Sequence, residues 1–98
     1  GLRVDDPAVD LAVAAAIASA YWERPLPADL VAMGEIGLTG ELRPVSQPEQ
    51  RFREAVRLGF DNVVAAPLKS GKAAAKKLDL KLYNAANLQI ALSFMGLL

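Results

Sequence analysis

Two short apolar runs, Asn62-Val63-Val64-Ala65-Ala66 and Leu80-Lys81-Leu82-Tyr83, flank a stretch from Ser70 to Lys77 that can form a helix. Strand, helix and strand in so short a span leave few topologies open. The two strands are expected to pair in parallel through a right-handed crossover. Upstream, Leu30-Val31-Ala32-Met33 reads as a strand running on through Gly34-Glu35-Ile36. Leu38-Thr39-Gly40 is a turn and Glu41-Leu42-Arg43-Pro44-Val45 the return strand of a hairpin. Pro44 puts that return strand at an edge, since it has no N–H to give.

Helices fill the remaining intervals. Asp6 is a good N-cap and Pro7 suits the first helical position. The helix that follows is apolar nearly all round through Ile17 and Ala20, a pattern that predicts burial. It ends before the loop Trp22-Glu23-Arg24-Pro25-Leu26-Pro27. A second helix starts near Ser46 or Gln47, carries Phe52, Ala55, Val56 and Leu58 at helical spacing, and stops at Gly59. Asn84 is the expected cap of a last helix with Leu88, Ile90, Ala91, Leu92 and Phe94 on its apolar side. The expected fold class is α/β (α+β), a mixed sheet with a β-hairpin and packed helices.

The chain of 98 residues is long enough for one domain, 1–98, with one modest core. Apolar residues make up 53% and aromatic ones 6%, so the core is expected to be aliphatic. No cysteine and no histidine occur. Disulfides, thiolate catalysis, cysteine-held metals and imidazole acid–base chemistry are thereby excluded for this stretch. The run from Leu11 to Tyr21 is about half the ~20 residues that cross a bilayer, and no signal peptide is visible. A cytoplasmic setting and no membrane partner are expected. The sequence starts at Gly1 without Met, and Leu2-Arg3-Val4 already reads as a strand, so a piece of a longer protein is expected.

Charge is balanced in sum and segregated in sequence. Residues 1–50 carry three basic and eight acidic side chains, and residues 51–98 carry eight basic and three acidic. Such asymmetry suggests two faces with different partners, against the plainer reading of a solvated surface. Arg51, Arg53 and Arg57 fall on one helix, and Lys69, Lys72, Lys76 and Lys77 on the next loop and helix. These are candidate DNA-phosphate contacts, each releasing counterions. No aromatic alternates with them, so base stacking on single strands is not indicated. Lys69-Ser70-Gly71-Lys72-Ala73 fails as a phosphate loop, because Ala66 and Ala73 stand where glycine and a hydroxyl are needed. Asp5, Asp6 and Asp10 are better explained by a helix N-terminus than by a metal. Glu35 and Glu41 flank the hairpin turn where they can pair across strands, and Tyr21 and Trp22 are expected core or interface anchors.

The stretch Met33-Gly-Glu-Ile-Gly-Leu-Thr-Gly-Glu-Leu-Arg-Pro44 resembles the hairpin of Lon-type proteolytic domains. Asp6-Pro7-Ala8-Val9-Asp10 falls where that family has its nucleophile motif. A closer resemblance combines Gly-Leu-Arg-Val-Asp-Asp-Pro-Ala, Arg-Pro-Leu-Pro, the same hairpin, and Glu-Gln-Arg-Phe-Arg-Glu-Ala with Leu-Gly-Phe after it. Together these are similar to the C-terminal domain of the RadA (Sms) family of bacterial DNA repair proteins. The resemblance implies a Lon-like fold truncated at its N-terminus, in a hexameric, ATP-driven branch-migration motor. It implies a role in ring assembly and DNA contact, with homo-oligomer, DNA and a DNA-bound recombinase as partners. It implies no cofactor in this domain, with ATP, Mg²⁺ and Zn²⁺ in the rest of the parent protein. It places the serine position at Ala8 and, counted without gaps, the lysine position at Glu49, so no Ser–Lys dyad is expected. Arg3 and Arg43 join the candidate DNA or ring contacts. Two alternatives stand beside this reading: a Lon-type serine peptidase fragment, and a purely structural ring-assembly module.

Overall fold

The computed structural model describes residues 6–98. The expected strand Leu2-Arg3-Val4, and with it Arg3 and Asp5, lie outside the described residues.

A single 3-10 turn, Pro7–Val9, leads into α1, Asp10–Trp22. There follow β1 (Leu30–Met33), β2 (Glu35–Ile36), β3 (Leu42–Arg43), α2 (Pro48–Arg57), β4 (Asn62–Ala65), α3 (Lys69–Lys77), β5 (Lys81–Asn84) and α4 (Leu88–Phe94). Strands β1, β4 and β5 form a parallel sheet in the order β1-β4-β5, with Val31, Val63 and Leu82 in register. The parallel crossovers expected from the two apolar runs are therefore present.

Side chains alternate across this sheet, as pleating requires. Val63 and Ala65 face one layer with Phe52, Ala74 and Ala75 from α2 and α3. Val64 and Ala66 face the other with Leu11, Ala15, Ala91 and Leu92 from α1 and α4. Val63 and Val64 are both fully buried, which is why this run reads as unbroken apolar sequence.

The antiparallel and parallel pairings, expected in one mixed sheet, are divided between two ladders. β2 and β3 form their own two-stranded hairpin. The break is at Gly34, whose backbone leaves the sheet direction to bond elsewhere. Its N–H donates to the Ala8 carbonyl at 3.0 Å, and its carbonyl accepts from the Leu11 N–H at 3.0 Å. The hairpin is held from both ends. The Asp10 carboxylate accepts the Ile36 N–H at 3.1 Å, and Leu88 N–H donates to the Gly40 carbonyl at 2.8 Å. β3 ends at Arg43, just before Pro44.

One local expectation changes. The cap of α4 is Asn87, whose side chain accepts the Ile90 N–H at 2.8 Å, and not Asn84. Asn84 is taken by β5, where it pairs with Ala65. α2 starts where expected: Gln47 is its cap, in a left-handed conformation (φ 51°) without a side-chain bond, and Pro48 opens the helix. Gly59 (φ 95°) does stop the chain beyond α2, as read from sequence.

The expected burial of α1 is overturned. Only Leu11 and Ala15 are buried, while Val13, Ile17 and Tyr21 are 52%, 64% and 81% exposed. One layer, the sheet with α4, covers the helix, and among the described residues nothing covers its outer side. Tyr21 and Trp22 touch edge to face at 6.2 Å between centroids and are not core anchors.

Candidate nucleic-acid interface

The basic residues lie on two adjacent helices that share one side of the sheet. α2 turns Phe52 and Ala55 inward, at 2% and 4% exposure, which sends Arg53 and Arg57 outward. α3 buries Gly71, Ala74 and Ala75, so Lys72, Lys76 and Lys77 face solvent. Gly71 is part of the helix, so Lys69-Ser70-Gly71-Lys72 is a first helical turn and not a phosphate-cradling loop. These residues do not fit a nucleotide.

Carboxylates neutralise every arginine on α2. Arg53 meets Glu49 at 2.8 Å one turn earlier, the favourable order for an i,i+4 pair. Arg57 pairs with Glu54; its Nε donates to Oε2 at 2.9 Å. That hydrogen bond raises the guanidinium pKa and lowers the Glu54 carboxyl pKa, so both remain charged as a pair. Arg43 lies 3.6 Å from Glu35, its register partner across the hairpin. Lys77 lies 3.8 Å from the same Glu49 carboxylate.

Arg51 belongs to a different cluster. Its guanidinium grips Asp6 in a fork, Nη1 to Oδ2 at 2.9 Å and Nη2 to Oδ1 at 3.3 Å. Its Nε donates to the Ser46 carbonyl at 2.7 Å, and Nη2 also reaches Ser46 Oγ at 3.3 Å. Asp6 Oδ1 meanwhile accepts the Ala8 N–H at 3.0 Å, as a cap does. Both members of the ion pair have side chains only 21% exposed. Arg51 thus joins α2 to the cap of the 3-10 turn that leads into α1.

The positions equated with a Ser–Lys pair are separated. Ala8 is 5% exposed and borders a cleft with Asp6, Ser46 and Arg51. Glu49 borders another, between α2 and α3, with Arg53 and Ser70. The α2 side chain in Ala8's cleft is Arg51, and a second, mostly apolar pocket beside Ala8 is bordered by Arg51, Glu54 and Ala55 of the same helix. Ala8 has no oxygen to attack with, and an arginine there stays protonated and cannot serve as a base. Among the described residues no group of three or more metal-ligating side chains comes together. No helix of the described residues is long and apolar enough to cross a membrane.

Glu35 and Glu41 part company on the hairpin. Glu41 turns back on its own loop, where its carboxylate accepts the Thr39 N–H at 3.2 Å and the Thr39 hydroxyl at 3.0 Å. These bonds, helped by the nearby Arg43 charge, hold its pKa below the ordinary 4.5. A lowered folded pKa stabilises the hairpin above the unfolded value and loses that stabilisation as pH falls through the folded one. Thr39→Val removes the hydroxyl and is expected to move the Glu41 titration upward toward 4.5. An NMR titration of the Glu41 carboxyl checks this, and an unmoved midpoint would refute the assignment.

Among the described residues, what remains unpaired is Arg24, in the loop after α1, and four lysines. Lys69, Lys72 and Lys76 on α3, and Lys81 at the start of β5, form no ion pair among the described residues. Lys81 was not among the residues singled out from sequence. The signal was its polar place in the run Leu80-Lys81-Leu82, with its apolar neighbours turned inward.

Comparison with known proteins gives two results. The family model described as Subunit ChlI of Mg-chelatase matches residues 1–68. Curated relatives carry the name DNA repair protein RadA. One from Streptococcus pyogenes serotype M1 is 55% identical over 65 residues, 66% of this chain and 14% of that protein. One from Mycolicibacterium smegmatis is 51% identical over 67 residues, 68% of this chain and 14% of that protein. One from Rickettsia bellii is 47% identical over 66 residues, 67% of this chain and 15% of that protein. The chain therefore spans about one seventh of the length of these relatives.

Proposed function

The chain belongs to the family described as Subunit ChlI of Mg-chelatase, and we propose that it is a non-catalytic domain of a RadA-type DNA repair protein. Its work is to hold protomers together and to contact DNA. The observation that carries this reading is identity of about half the residues with proteins named DNA repair protein RadA, across some two thirds of the chain. The Lon-like character of the domain, and a hexameric ring, rest on the sequence resemblance. In such a ring the domain lines a channel with positive charge while an ATPase core elsewhere in the parent does the work. ATP, Mg²⁺ and Zn²⁺ are assigned to that remainder.

The peptidase alternative is disfavoured by one specific pair of facts. Ala8 brings no nucleophile, and its cleft holds an arginine already gripped by Asp6. The purified chain is expected to leave an unfolded protein such as casein intact, and to sediment as an assembly larger than 10.4 kDa. Casein cleavage abolished by no contaminant-specific inhibitor would restore the peptidase reading. A strictly monomeric species at all concentrations would remove the assembly role.

A further inference from the structure

We propose that Lys69, Lys72 and Lys76 of α3, with Lys81 of β5, form the strip that follows a duplex phosphate backbone; this rests on the DNA-contact reading above. The strip differs from the set suggested by sequence. It drops the arginines of α2, Arg43 and Lys77, does not include Arg3, which lies outside the described residues, and gains Lys81.

The argument starts from helix geometry. Positions 69, 72 and 76 are separated by three and four residues, so their side chains share one helical face. Lys77 falls off that face and turns toward Glu49. At about 1.5 Å per residue, Lys69 to Lys76 spans ~10 Å of helix axis. That is about three phosphate steps at ~3.4 Å per strand along a duplex axis. β5 is the outer strand of the sheet, and Lys81 stands at its first position. Lys72, Lys76 and Lys81 border one shallow groove of about 380 Å³. Its single carboxylate is Asp79, so three positive charges face one negative.

Charge state decides between the two helices. A cation already gripped by a carboxylate releases no net counterion when it meets a phosphate, unless that pair first breaks. Arg51, Arg53 and Arg57 are all so gripped, and the four strip lysines are not. No aromatic side chain borders the groove, so it offers nothing for an unstacked base to lie on. That favours duplex backbone over single strands. Leu80, at its floor, is 5% exposed and offers a protein partner little to anchor in. The commonplace role for Lys81, keeping an edge strand from pairing with another sheet, makes no demand on the other three lysines.

The test is a salt series of duplex binding, read by fluorescence anisotropy, on the 98-residue chain. Lys72→Gln, Lys76→Gln and Lys81→Gln together are expected to reduce the slope of log affinity against log salt by about 2.7, at ~0.9 per contact. An Arg53→Gln, Arg57→Gln variant is expected to leave the slope nearly unchanged. All five positions are exposed, and far-UV circular dichroism confirms that each variant is folded. Salt-dependent wild-type binding with an unchanged slope in the triple variant overturns the strip and leaves DNA contact standing elsewhere. Absence of wild-type binding overturns both; binding of poly-glutamate in that case marks an acidic protein partner.

Discussion

Replacing Phe52 with alanine is expected to lower the unfolding free energy by about 3–5 kcal/mol. Phe52 is 2% exposed and is the largest fully buried side chain. It stands where α2 meets the sheet and α3, packed with Met33, Val63, Ala75 and Leu80. Alanine is common around it, so few side chains can swing in to fill the space. The lost burial and the cavity then add rather than offset. A domain of this size has roughly 5–15 kcal/mol in total, so the variant is expected to be partly unfolded at the lower end of that range. Urea unfolding followed by circular dichroism gives the comparison, with the midpoint falling and the slope unchanged. A loss under about 1 kcal/mol would mean that the α2–α3 layer is not packed as described.

Arg51→Ala is expected to cost about 1.5–3 kcal/mol. The substitution strips the fork from Asp6 and leaves that carboxylate half-buried beside the Ala8 N–H. Partial exposure of the pair, 21% on each side, keeps the loss below that of a fully buried ion pair. Arg51→Lys keeps the charge but not the two-pronged geometry or both Ser46 contacts, and is expected to recover part of the loss. A double-mutant cycle with Asp6→Asn is expected to show coupling of at least ~0.5 kcal/mol. Strict additivity would show that the two side chains do not meet in solution. Should Arg51→Ala weaken DNA binding without loss of stability, Arg51 would be a phosphate contact after all.

Much of the fold was legible because its signals are local. The run Val63-Val64-Ala65-Ala66 is apolar on both sides and lies between two helical layers, so it reads as a central strand. Gly59 and the Leu38-Thr39-Gly40 turn announce themselves by backbone conformation, with Gly59 at φ 95° and Gly40 at φ 88°. The features missed depend on partners far away in sequence. Gly34 ends β1 because the Ala8 carbonyl captures its N–H, and nothing near Gly34 in the sequence says so. The apolar circumference of α1 signals an affinity for cover but not whether this stretch supplies it. Val13 and Ile17 are exposed because the sheet and α4 reach one side only.

The candidate site divides along the same line. The pairs Glu49–Arg53 and Glu54–Arg57 are neighbours at helical spacing and could have been discounted from sequence alone. The pair Asp6–Arg51 crosses 45 positions and could not. It removes from the basic cluster a residue that composition had put there. Lys81 enters it only because β5 lies at the sheet edge beside α3.

The most direct measurement is the affinity of the unmodified chain for a short duplex as salt is raised. With four strip lysines on phosphates, log affinity should fall against log salt with a slope of about −3.6. Binding that is absent at the lowest salt, or that does not change as salt rises, would contradict a DNA-contact role for this domain.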